Sequence, residues 1–168
     1  AVYQQALDTV TQQVEENRPM ITEKVTAAVQ EQVSQQVTAA VKEQVSEKVA
    51  AAVREQVAEK VIPIATSGKM TKEEYETAVK AGLVDEKTQA AVENAIDTQM
   101  KEADVQALLE KNLQEQLESP EIQAAISAKT QEQMKSKAMQ ATISKNVEAQ
   151  VQKAISEAMA SDEVQQKL

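Results

Sequence analysis

From Val25 to Val61 the chain reads VTAAVQEQVSQQVTAAVKEQVSEKVAAAVREQVAEKV. Valine stands at every fourth position, at Val25, Val29, Val33, Val37, Val41, Val45, Val49, Val53, Val57 and Val61. At about 100° per residue, four residues advance a helix by roughly 400°, so each valine lies about 40° further round than the last. A left-handed heptad pair needs the shorter period of 3.5 and is excluded. The i, i+4 row is also a natural ridge of a helix surface, and two such ridges interlock at a crossing near −50°. The ten valines are therefore expected to form a packing or interface stripe. It is met on successive faces, either in a right-handed supercoil or by several neighbours in turn.

The same stretch is an internal repeat of twelve residues, VTAAVQEQVSQQ, VTAAVKEQVSEK and VAAAVREQVAEK. Weaker copies of its grammar follow as VENAIDTQM, VQALLEKNL, IQAAISAKT and VQKAISEAM. Expansion of a low-complexity gene under weak selection would leave a similar regularity with no packing role. In the second half the apolar steps of four are interrupted by steps of five beside Asp104, Ser119-Pro120, Ala138 and Ser161. A step of five turns the stripe by a further 100°, so these four places predict helix ends or changes of partner.

A chain of 168 residues is long enough for a core, but it holds no Phe or Trp, and Tyr3 and Tyr75 are its only aromatics. Val, Ile, Leu, Met and Ala must supply the buried area, a little at each turn. Two glycines and three prolines leave little turn chemistry for strands. Ala, Gln, Glu and Lys favour helix. The fold class predicted is all-α, an elongated bundle or hairpin of long antiparallel helices with right-handed or crossed packing.

The punctuation gives the layout. Residues 1–18 form a short N-terminal helix, ended by Arg18-Pro19, and residues 19–62 form the long repeat helix. Its regular stretch, from about 20 to 61, would span roughly 60 Å. Residues 63–84 make a connector, in which Gly68 and Gly82 close helices, Thr71 and Asp85 open the next, and a short helix covers Lys72 to Lys80. Residues 85–168 return along the arm, with a cap or kink at 119–120, a helix to about Met159 and a last fragment opened by Ser161-Asp162-Glu163. The whole reads as one extended domain.

The formal charge of −9, from 18 basic and 27 acidic residues, disfavours nucleic acid and anionic membrane surfaces, which need clustered Lys and Arg. Without His or Cys the usual ligands for zinc, iron and copper are missing, as are the common catalytic triads. Glu15-Glu16 and Glu73-Glu74 diverge by about 100° on a helix and read as solvated charge. SGKMT at Ser67 lacks the earlier glycine and the preceding strand of a phosphate-binding loop, so it reads as a cap and turn. Gln32, Gln44 and Gln56 precede stripe valines and are expected at its solvated flank. Met134, Met139 and Met159 are expected to fill core. No catalytic residue, cofactor site or metal site is predicted, and the chain is expected not to be an enzyme. No apolar run reaches the roughly 18 residues of a membrane span. The start AVYQQALDTV has neither an initiator Met nor a signal pattern, as expected of a processed or excised piece, with any membrane anchor in segments outside it.

In VTAAVQEQVSQQ, IQAAISAKTQEQM and MASDEVQQKL the chain resembles helical, repeat-rich extracellular regions of Firmicute membrane proteins of the YhgE or phage-infection-protein type. That resemblance implies an exported helical stalk at the surface of a Gram-positive bacterium, with surface roles that include phage adsorption. It carries over no functional residue. The function expected is a non-enzymatic structural or interaction module, a stalk or spacer. Its partner would be another protein or a second copy, met through apolar helix stripes. The alternatives are a helix that binds lipid surfaces reversibly, disfavoured by the mixed acidic face, and a partly disordered solvating protein, opposed by the regular valines.

Overall fold

A computed structural model describes all residues, 1–168, as eight α-helices and no strand. They are α1 (Val2–Glu16), α2 (Arg18–Ala65), α3 (Lys72–Lys80), α4 (Glu86–Met100), α5 (Ala103–Glu118), α6 (Pro120–Met134), α7 (Lys137–Met159) and α8 (Asp162–Lys167). The chain is all-α.

The arm α2 is longer than its regular valines alone predict, at 48 residues. Pro19 is its second residue, where the missing N–H has no intrahelical partner to lose, so only Asn17 separates α1 from α2. Pro63 lies inside the helix rather than ending it. It deprives only the carbonyl of exposed Glu59, while Ile62 and Thr66 on either side are buried and the Thr66 hydroxyl donates to the Ile62 carbonyl at 2.7 Å. The helix closes two residues later. Ser67 N–H donates to the Ile64 carbonyl and Gly68 N–H to the Pro63 carbonyl, a Schellman closure in which Ser67 rather than the glycine takes the first left-handed position, at φ 56. After α3 the same closure uses Gly82 at φ 73, with Leu83 N–H donating to the Ala78 carbonyl.

Thr71 opens α3 with a capping box: its hydroxyl accepts from Glu74 N–H, and the Glu74 carboxylate accepts from Thr71 N–H. Asp85 opens α4 by accepting from Thr88 N–H at 2.7 Å. The returning chain is more divided than its caps alone predict. It breaks at Lys101-Glu102 and at Lys135-Ser136 as well as at Ser119 and Ser161. All four breaks lie beside the steps of five, where the stripe would otherwise turn away from what covers it.

By contacts the chain forms two units, Ala1–Ala39 with Ala124–Leu168, and Ala40–Gln123. In the first, α1 packs on α7 and α8, and the core is Val10, Val14, Val29, Val33, Val37, Met134, Ile143, Val147 and Val151. There α6 and α7 together run antiparallel to the start of the arm: Arg18 bonds Glu148 of α7, while Gln30 shares a groove with Gln131 of α6. In the second, α4 contacts α5, and Val41 to Val61 are buried with Ile62, Tyr75, Val84, Val92 and Ile96. The return is antiparallel here too. Arg54 bonds Asp97, whereas Lys48 and Val49 share a groove with Asn112 and Gln116.

Candidate functional site

Of the ten stripe valines, nine are buried: Val29, Val33, Val37, Val41, Val45, Val49, Val53, Val57 and Val61. Val53 is 0% exposed. Val25, at the edge of the stripe, is only half-buried. From Val29 to Val49 the stripe is one residue wide at each turn, for the residues between successive valines are exposed or half-buried. The valines are covered by this chain's own helices, so they are not a free docking face. Gln32, Gln44 and Gln56 are exposed beside them.

The covering side has a sequence logic of its own, which the steps of four conceal. The segments EKTQAAVENAIDTQMKE (86–102), ADVQALLEKNLQEQLES (103–119) and PEIQAAISAKTQEQMKS (120–136) are three units of seventeen residues, and KAMQATISKNVEAQVQK (137–153) is a fourth. All four have glutamine at the fourth position, and three have an apolar residue at the third, Val105, Ile122 and Met139, where the first has Thr88; the first three units each hold one helix, whereas the fourth is the start of the longer α7. Joints follow α4, α5, α6 and α7, and three of the four are built the same way. Ser119, Ser136 and Ser161 donate to the carbonyls of Gln116, Gln133 and Ala158 at 2.7 to 2.8 Å, and accept from the N–H of Ile122, Met139 and Val164. One hydroxyl thus satisfies the end of one helix and the start of the next.

The glutamine four residues on completes the joint. Gln106, Gln123, Gln140 and Gln165 each donate a side-chain N–H to the carbonyl six residues back, those of Met100, Leu117, Met134 and Met159, at 2.7 to 2.8 Å. Glu102 is the exception among the joint residues, since its side chain makes no cap bond. Recurrence of V/I/M-Q at 105–106, 122–123, 139–140 and 164–165 is the signal that reveals this unit in the sequence.

Electrostatics on this frame is local. Arg18 donates to Glu15 and Glu148, both at 2.6 Å. This raises the guanidinium above its ordinary value and holds the Glu15 carboxyl below the usual carboxylate range. Arg54 donates to Asp97 at 2.8 Å and Glu93 at 2.6 Å, with Asp97 the main cause of its raised value. Lys72, a buried residue, pairs with Glu55 at 2.9 Å and Glu76 at 3.3 Å, which raises its ammonium. Burial pushes the Tyr75 phenol up, and the hydrogen bond from Thr88 holds Asp85 down. Each cation faces carboxylates, and none stands beside a nucleophile.

The Thr130 hydroxyl is the one buried polar side-chain group without a hydrogen-bond partner; the residue is 5% exposed. It occupies the place in its unit that Ile96, Leu113 and Val147 take in theirs. No group of three or more acidic side chains is placed to hold a metal ion, and no helix is long and apolar enough to cross a membrane. The surface grooves are shallow strips between helices. The groove of about 440 Å³ flanked by Arg18, Gln30, Gln131 and Glu148 is lined by amides, hydroxyls and apolar side chains, with Lys135 beside the paired Arg18 and Glu148. Ile64 and Leu83 are the most exposed large apolar residues, each at 79%. No protein-family model, curated protein or solved structure matches the chain.

Proposed function

We propose that the chain is a non-enzymatic structural and interaction module, a helical stalk or spacer of a bacterial surface protein. The observation that carries this reading is the 48-residue uninterrupted helix α2. At about 1.5 Å per residue it spans roughly 72 Å, and nine consecutive valines of its stripe are covered by the same chain. A helix so long is marginal in water by propensity alone and is held by packing along one edge. The design spends its buried area on length rather than on enclosing a pocket, which suits a spacer. The resemblance of VTAAVQEQVSQQ and MASDEVQQKL to extracellular stalk regions supports a place at the cell surface.

Because the stripe is already covered, a second copy reaches it by exchanging arms, and a different protein meets the polar outer faces. Small-angle scattering with sedimentation tests the reading. An extended particle with a cooperative helical melt is expected, and a compact Stokes radius for an 18.3 kDa monomer overturns it. Adding anionic and zwitterionic vesicles separates the lipid-surface alternative: helicity unchanged by lipid fits the spacer, whereas low helicity in buffer that rises sharply with vesicles replaces it.

A further inference from the structure

The arm is buried on one face for most of its length and on two near its end. Up to Val57 its only buried residues are stripe valines, and beyond it Ala58 and Ile62 are buried as well. On a helix turning about 100° per residue, Ile62 lies within about 20° of Glu55 and Ala58 within about 60°, whereas Val53, Val57 and Val61 stand roughly 120° or more away. The two faces have different covers. Arg54, within about 60° of Val57 and Val61, bonds Glu93 and Asp97 of α4. Glu55 instead bonds Lys72, the first residue of α3, at 2.9 Å.

The short helix α3 is lightly attached. Lys72 makes the one side-chain hydrogen bond that joins it to another helix, and of its residues only Lys72 and Tyr75, about one turn apart on the same side, are buried. Its ends are satisfied from within. The capping box of Thr71 and Glu74 serves the start, and the N–H groups of Ala81, Gly82 and Leu83 close on the carbonyls of Thr77, Val79 and Ala78. Lifting α3 therefore strands no backbone group of its own. The chain enters and leaves it through left-handed turns at Ser67-Gly68 and at Gly82. Beyond its chain neighbours, nothing lies within 4 Å of where a Cβ would sit on either glycine, so neither turn is wedged by packing.

We propose that α3 is a strap, which lifts from the end of the arm and re-seats, uncovering the face of Ala58 and Ile62 while α4 stays on the valine face. Segments with few buried residues open without unfolding the rest of a molecule. A helix as short as α3 is marginal once released, so its amides exchange when it lifts. Those of the arm stay bonded within α2. The arm thus carries a second apolar face that is shown only while the strap is up, whether or not the chain serves as a spacer.

The chain has no cysteine, so single introduced thiols report which face opens. Ile62→Cys and Val53→Cys, one on each face, are labelled with N-ethylmaleimide in rising urea below the unfolding transition. Labelling of Ile62→Cys is expected to be at least tenfold the faster and nearly independent of urea, since lifting the strap exposes little surface. Labelling of Val53→Cys is expected to rise steeply with urea, as global unfolding does. Equal rates and slopes overturn the proposal.

A second change releases the strap. Tyr75→Ala removes its buried ring and is expected to speed labelling of Ile62→Cys a further tenfold or more, while that of Val53→Cys stays within about twofold. If Tyr75→Ala speeds both alike, or neither, α3 belongs to the cooperative core and is no strap. In the unaltered chain, amides of α3 are expected to exchange faster than those from Val53 to Val61 on the arm, and equal protection overturns the proposal.

Discussion

The arm α2 and the return α4–α8 carry the same apolar step of four, and they treat its drift in opposite ways. The arm lets the stripe wind, staying helical for 48 residues. The return cuts it at residues 102, 119, 136 and 161, the last break coming only after the longer α7, and at three of the four a serine makes the joint and the stripe resets. A period that fits neither a straight seam nor a heptad is thereby used on one side as a track and on the other as a set of short treads. Regularity of sequence does not by itself decide whether a helix is long or short. A serine with one carbonyl behind it and one amide ahead, seconded by a glutamine, makes the difference.

Proline is the sharpest way to separate the two regions. Glu43→Pro, exposed in the middle of the arm, is expected to cost about 3 kcal/mol or more by removing an intrahelical bond and clashing with the preceding turn. Lys137→Pro is expected to be close to neutral. It occupies the first position of α7, as Pro120 does in α6, and Ser136 before it already has the extended ψ of 149 that proline requires. Urea denaturation of the two variants measures the contrast, and equal losses would show that the return behaves as a continuous helix.

Thr130→Val probes the one polar residue on the buried row of the return. Replacing an unpartnered buried hydroxyl with an isosteric methyl is expected to stabilise by about 1 kcal/mol, read as a higher urea midpoint. A loss would mean that the hydroxyl bonds a group inside the fold. The joints come next. Ser136→Ala is expected to cost about 1 kcal/mol, and Glu102→Ser, which installs the missing cap, to gain about 0.5 kcal/mol. If both changes leave the midpoint fixed, the breaks are held by packing and the caps are incidental.

The smallest effect is on pH. Glu15 and Asp85 have carboxyls held below their ordinary values in the fold. Their contribution is therefore present above the unfolded values and is lost as pH falls through the lower folded ones, below about pH 4. Lys72 has the opposite sign. Its raised value gives a contribution present below the ordinary ammonium value and lost as pH rises beyond it. Denaturation midpoints are expected to fall at both extremes, and Arg18→Gln to flatten part of the acid limb.

Much of this architecture is legible in the residues. Thr71 and Asp85 are caps by type and by position, and Ser119-Pro120 announces a helix start. The valine period by itself excludes a left-handed zipper. Other features escape because their signals are weak or non-local. Glu102 and Lys135-Ser136 hold no proline or glycine, so those breaks register only as a slip in phase. Pro63 looks like a stop because its two buried neighbours, Ile62 and Thr66, owe their burial to tertiary packing. That the valines are covered by their own chain is equally a tertiary fact. The pattern marks which residues seek cover, and only the fold shows what supplies it.

The joints also decide how damage spreads. A local opening in α6, which is 15 residues long, meets a serine-capped boundary on either side, at Ser119 and Ser136, so it is fenced in. The arm has no such fence: it is one hydrogen-bonded ladder from Arg18 to Ala65. In native-state hydrogen exchange the return should open segment by segment, each with its own protection, while the arm's buried turns share one fate with the whole molecule.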